Sequence, residues 1–136
     1  MKEDKAHAAM MFGLAQDDFK TLEVFRDLPA VATAIFGFHA EQAVEKALKA
    51  WLTTAGAHYP KVHDIRLLLK LLTDAGQSVP EPFRRLVYLT AFAAQFRYEV
   101  NDELVPELDR PAVIREVGEV LEHVERLIAE AKPDAE

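Results

Sequence analysis

Residues 38–52 read FHAEQAVEKALKAWL, and the spacing of their apolar positions decides the fold. At about 100° per residue, with Ile35 as zero, the apolar side chains from Phe36 to Leu52 spread over more than half the circumference of a helix. They are Phe36, Ala40, Ala43, Val44, Ala47, Leu48, Ala50, Trp51 and Leu52. That width suits a central helix with several neighbours. Gln42, Lys46, Lys49 and His39 crowd into a sector of roughly 80°, with Glu45 at its edge and Glu41 inside the apolar arc. Two readings of that sector stand side by side. In one it is a solvated face, where Glu45 and Lys49 form an i,i+4 pair worth about 0.3 kcal/mol. In the other, Gln42, Lys46 and His39 face a groove and contact a phosphate or a base.

Outward from this stretch, the few glycines and prolines fall between segments of helical periodicity. A first helix is expected from Lys5 to Phe25, with Ala8, Phe12, Ala15, Phe19 and Leu22 on one stripe. Asp27-Leu28-Pro29 reads as an N-cap followed by an early proline, so the second helix should start there and run to Ala55, stopping at Gly56. Pro60 places AHYPKVHD in a loop. A third helix from His63 or Asp64 to Ala75 carries Ile65, Leu68, Leu69, Leu71 and Leu72 and ends at Gly76. After the loop QSVPEP, a fourth helix is expected from Pro82 to Tyr98, then the irregular connector VNDELVPELDRP. The last helix, Pro111 to Ala131, has the clearest pattern, with Val113, Val117, Val120, Val124 and Leu127 flanked by Ile114, Leu121 and Ile128. No segment alternates as a strand would. The expectation is an all-α, up-and-down bundle of four long helices and one short one, in a single domain spanning 1–136 with its core between about residues 5 and 131.

The chain has 136 residues, a net charge of −7 and no cysteine. The acidic balance argues against general, charge-driven nucleic-acid binding, while leaving room for a local basic patch. Without cysteine there are no disulfides, thiolate metal sites or cysteine nucleophiles. The opening MKEDKAHAAMMFGLAQDDFK is charged and has no long apolar run, so neither a secretory signal nor a membrane span is expected, and the expected location is the cytoplasm.

FHAEQAVEKALKAWL followed by VHDIRLLLKLL resembles the HEPN domain (higher eukaryotes and prokaryotes nucleotide-binding domain), with its pattern QAxEKAxKAxL, a loop, and HDI before a leucine run. Asp17-Asp18 in the first helix and Arg97-Tyr98 ending the fourth agree with it, and the likeness covers roughly Met10 to Ala131. The resemblance implies an all-α bundle that pairs as a homodimer. Many such proteins are encoded beside a minimal nucleotidyltransferase and act in toxin–antitoxin pairs. Several are metal-independent ribonucleases with an Arg-x(4–6)-His motif at the dimer interface, where the histidine moves a proton and the arginine steadies the phosphate. Here the positions following Arg97 at that spacing are Asp102, Glu103 and Leu104, and Arg115 and His123 stand one residue too far apart. A carboxylate in place of imidazole opposes RNA binding, so this chain resembles the branch that lacks the motif.

The expectation is therefore a HEPN-type protein, more binding partner than enzyme, paired with a minimal nucleotidyltransferase in a toxin–antitoxin-like or nucleotide-responsive system. Its ligand, a nucleotide or RNA, would meet Arg97, Tyr98, Asn101, Gln42, Lys46 and His39, with no cofactor or metal and no assigned catalytic residue. One alternative is a degenerate ribonuclease using Arg97 and a histidine from elsewhere, such as His39; another is a non-catalytic helical interaction module. His63-Asp64 reads either as a base with its orienting carboxylate or as a helix start capped by Asp64. Glu119, Glu122 and His123 form only a fragment of a bundle metal site. Arg84 and Arg85 open the fourth helix, where cations oppose the helix dipole, and are candidate contacts for a partner or a phosphate.

Overall fold

The computed structural model describes residues 2–93 and 107–131. Helix α1 spans Lys2–Phe25, α2 Thr33–Thr54, α3 Ile65–Asp74 and α4 Glu81–Arg84. A 3₁₀ segment, Arg85–Leu89, follows, residues 90–93 are again helical, and α5 spans Arg110–Glu130. No strand occurs among the described residues. The architecture is the expected all-α bundle. No helix among these residues is long and apolar enough to cross a membrane.

Helix α2 is the hub, packing against α1, α3, the 3₁₀ segment and α5. Fifteen of its 22 residues are buried, in keeping with its broad apolar arc. The contacts fix the directions of the long helices. Asp18, late in α1, meets His39 early in α2, and His7 near the start of α1 meets Tyr59 beyond the end of α2; α1 and α2 are antiparallel. Arg110 at the start of α5 lies over Phe36, and His123 near its end lies beside Trp51, so α5 runs alongside α2 in the same direction. The expected stripes of α1, α3 and α5 all face this core. Phe19, Leu71, Ile114, Leu127 and Ile128 sit at its margin rather than fully inside.

Both predicted glycine stops are present, each in a Schellman motif. Gly56 and Gly76 have φ of 78° and 81°. Their amides bond back to Thr53 and Thr73, while Ala57 and Gln77 bond to Leu52 and Leu72. Asp64 caps α3, its carboxylate accepting from the Leu67 amide.

The starts of α1, α2 and α5 differ from the sequence reading. Helix α1 begins at Lys2 rather than Lys5. Helix α2 starts at Thr33, after Ala32, and Asp27 does not cap it. Instead the chain between α1 and α2 makes two successive turns, which aim the carbonyls of Phe25, Leu28 and Val31 at the Arg110 guanidinium at 2.8, 3.1 and 2.6 Å. Arg110 itself was read as connector; it is the first residue of α5, with Asp109 as the cap accepting from Ala112.

The fourth helix is not continuous. Phe83, Leu86, Leu89 and Phe92 are all buried, at intervals of three. An α-helix would rotate such a series away from the core by about 60° per step, whereas a 3₁₀ stretch, with three residues per turn, keeps it in line. The core selects the tighter winding over Arg85–Leu89. The expected end of this helix, Arg97-Tyr98, lies outside the described residues, as do Asn101 and the residues read as its connector up to Pro106.

Candidate functional site

The polar sector of α2 faces inward over most of its length, against α1 and the loop before α3. It is therefore neither the open, solvated face nor a bare groove wall. Its residues sort into two groups.

The first centres on Asp18. Its carboxylate accepts from His39 Nδ1 at 2.9 Å and from Lys46 Nζ at 2.7 Å. Burial alone would push the Asp18 carboxyl up, but the hydrogen bonds and charges of His39 and Lys46 outweigh it and hold the group below its usual value. Because Asp18 is ionised, His39 Nδ1 is the donor, and His39 Nε2 carries the free lone pair in the neutral ring. The His39 ring is wedged edge-on between Phe25 and Phe38, with a quarter of its side chain open to solvent. Thus two of the predicted ligand-binding residues, His39 and Lys46, share one anchor on α1. Of the Asp17-Asp18 pair only Asp18 makes these contacts; Asp17 is exposed.

The second group is buried and centres on Glu45. One oxygen receives Lys49 Nζ at 2.6 Å, and His63 Nδ1 lies 3.0 and 3.1 Å from the two oxygens. Gln42 donates to Glu41 at 2.7 Å and, at 3.4 Å, to Glu45. Glu41 and Glu45 are 0% and 2% exposed. Glu41 Oε2 has no partner with full hydrogen-bond geometry among the described residues, which raises the cost of ionising it. Burial first, then the attraction of Glu45 for its proton and the Glu45 charge, push the Glu41 carboxyl up to about 9. Glu45 moves the other way. Burial would raise it, but bonds from Glu41, Lys49 and His63 and the Lys49 charge hold it below its ordinary value. One proton therefore sits on Glu41, and Glu45 carries the charge.

Around this core, Lys49 lies 5.5 Å from the centre of the Tyr59 ring, and the Tyr59 hydroxyl meets His7 Nε2 at 2.6 Å. Burial and the Glu45 charge raise the Tyr59 hydroxyl, so it keeps its proton beside His7. His63 does not pack beside the Asp64 cap; it turns to Glu45, with half of its side chain in solvent.

The predicted Gln42 thus belongs to the Glu41–Glu45 group, apart from His39 and Lys46. Arg97, Tyr98 and Asn101 lie outside the described residues. His123, from the suspected metal fragment, packs against Trp51 and Phe83, with ring centres 4.9 and 5.3 Å away. Burial first, and then the Arg126 charge, lower its pKa. No group of three or more metal-ligating side chains is assembled among the described residues. The acid pair escaped the sequence reading, although the wheel carried its signal, since Glu41 stood inside the apolar arc and Glu45 at its edge.

Among known families, the model described as HEPN domain aligns with residues 11–133. No curated protein matches the chain, and no solved structure does.

Proposed function

The chain belongs to the HEPN domain family, and on that premise we propose that it is the helical partner of a minimal nucleotidyltransferase in a toxin–antitoxin-like or nucleotide-responsive pair. It acts there as a homodimer that binds a nucleotide or RNA rather than cleaving it. The observation that carries this reading is the commitment of the α2 polar face to internal partners. Lys46 and His39 are held on Asp18, and Gln42, Lys49 and His63 are held on the Glu41–Glu45 pair. A face built this way orders the fold and keeps little free charge for a scissile phosphate. The missing histidine after Arg97 supports the same conclusion.

The test is co-expression with the product of an adjacent nucleotidyltransferase gene, followed by size-exclusion chromatography with light scattering. A stable complex containing two copies of this chain is expected. A chain that stays monomeric and does not co-elute, or a gene with no such neighbour, overturns the reading.

One observation favours a second reading, a residual ribonuclease. Asp18 orients His39 with no partner on Nε2 among the described residues, the arrangement of a carboxylate-positioned general base. Its test is cleavage of a single-stranded RNA by the wild type, by Asp18→Asn and by His39→Ala. Activity lost in both variants supports it; activity that persists in either, or no cleavage by the wild type, removes it.

A further inference from the structure

Helix α3 presents Arg66 and Lys70 one turn apart on one side, and Arg84 at the end of α4 faces them. Between these side chains lies a groove of about 300 Å³, lined also by Leu69, Thr73, Asp74 and Val87. That volume is at the lower end for small-molecule sites. The segment from Lys61 to Arg85 carries five cations against three carboxylates, in a chain whose net charge is −7. The positive charge is therefore concentrated locally.

The cations are arranged as well as gathered. Arg84 Nη2 donates to the Thr73 hydroxyl at 3.0 Å, and that hydroxyl donates in turn to the Leu69 carbonyl at 3.2 Å. This relay fixes one corner of the guanidinium and, among the described residues, leaves most of its donors without a partner, since Glu81 approaches its Nε only at 4.0 Å. Lys70 is held to Asp74 at 2.8 Å, and among the described residues its other two donors have no partner. Arg66 makes no ion pair among the described residues. Like charges at i and i+4 cost a helix a few tenths of a kcal/mol, and a multivalent anion between Arg66, Lys70 and Arg84 would remove that repulsion. The floor of Leu69 and Val87 is apolar.

We propose that this α3–α4 groove binds a small oligophosphate anion, either inorganic or carried on a nucleoside, with Arg66, Lys70 and Arg84 as its ligands. An arginine fork matches two phosphoryl oxygens at once, and the lysine supplies a mobile point charge. The groove lies apart from the α2 polar face, so the assignment does not depend on the pairing partner proposed above.

The experiment is isothermal titration calorimetry of the full chain with sodium tripolyphosphate and separately with ATP, at low ionic strength and without added magnesium. Saturable 1:1 binding is expected for at least one of them. Lys70→Gln and Arg84→Gln should each weaken it by roughly tenfold, the loss of one charge-assisted contact. Arg115→Gln, an exposed change on α5, should leave it unchanged. Circular dichroism checks folding, and Arg66→Gln substitutes for any variant that unfolds. Tighter binding of ATP than of tripolyphosphate places the nucleoside on the Leu69–Val87 floor, and equal binding shows that phosphate alone suffices; both uphold the site. No heat with either anion overturns it, as does equal weakening by Arg115→Gln. Binding of a single-stranded RNA 12-mer that Arg84→Gln and Lys70→Gln abolish, but that neither small anion displaces, also overturns it, because the groove would then serve a polymer.

Discussion

Glu41 and Glu45 stand one turn apart on α2, both out of solvent, and the proton of the pair rests on Glu41. The unfolded chain releases that proton near the ordinary 4.5, and the folded chain only near about 9. Between these values the native state binds one proton more than the unfolded state, so this group makes stability fall as pH rises. Its contribution is complete below 4.5 and declines through the window to about 9. Asp18 and Glu45, both held low, act in the opposite sense; their contribution is present above their unfolded values and is lost on acidification. Glu41→Gln keeps the shape without needing a proton. Relative to wild type, its unfolding free energy should therefore rise steadily between pH 5 and 9, as read by urea titration at several pH values. Wild-type and variant curves that run parallel across that range would sink the assignment.

Lys49 and Glu45 form the buried ion pair of the network. Removing the lysine leaves the buried Glu45 charge with only the half-exposed His63 and the neutral Glu41 and Gln42, at a cost of about 3 kcal/mol. Lys49→Met should lose that much in urea unfolding, and Glu45→Gln/Lys49→Met should recover a large part of it. Lys46→Met is the contrast. Lys46 is a quarter exposed, and Asp18 keeps His39 as a partner, so about 1 kcal/mol is expected. Equal losses for the two lysine variants would contradict the difference in burial on which this rests.

Apolar spacing made α1, α2, α3 and α5 legible in the sequence, because burial and helical period are the same information there. The glycine stops and the Asp64 cap were legible because each depends on local geometry alone. The α1–α2 turn was not, since its form is set by Arg110, some 80 residues away in sequence. The 3₁₀ winding was visible only as an i, i+3 series, Phe83 to Phe92, which periodicity reads as a poor α-helix. On the polar face, residue type located the stripe but not its direction. Whether a Glu–Lys pair is solvated or buried depends on what lies across from it. Here α1 supplies Asp18 and the loop before α3 supplies His63.

Gly37 illustrates a close approach that the sequence alone would class as a weak point in a helix. It is buried on α2, and a Cβ added there would overlap the Phe92 ring. Phe92 is itself 2% exposed and has little room to withdraw. Gly37→Ala should therefore destabilise by about 2 kcal/mol, against the stabilisation of up to about 1 kcal/mol that the same change gives in an open helix. Gly13→Ala is the internal control, because nothing lies within 4 Å of the added carbon in α1. Thermal unfolding of both variants decides the matter: Gly37→Ala should melt below wild type and Gly13→Ala at or above it. A Gly37→Ala protein as stable as wild type would show that α2 and the residues around Phe92 can part without cost.

Arg110 ties the start of α5 to the α1–α2 turn through the carbonyls of Phe25, Leu28 and Val31 while stacking over Phe36 at 5.0 Å. Arg110→Ala leaves three oriented carbonyls to water and removes the guanidinium from an aromatic face, for an expected loss of about 2 kcal/mol. Arg110→Lys should recover only part of this, because one ammonium cannot span carbonyls that a planar fork reaches from two nitrogens. The effect should also be local. In Arg110→Ala, the turn at residues 26–32 should exchange its amide hydrogens faster and be cut sooner by protease than the same turn in wild type. Amides in the middle of α2 should change only with global stability. If Arg110→Lys matched wild type in both stability and exchange, the bridging geometry would carry no weight, and a single positive charge at the start of α5 would account for the turn.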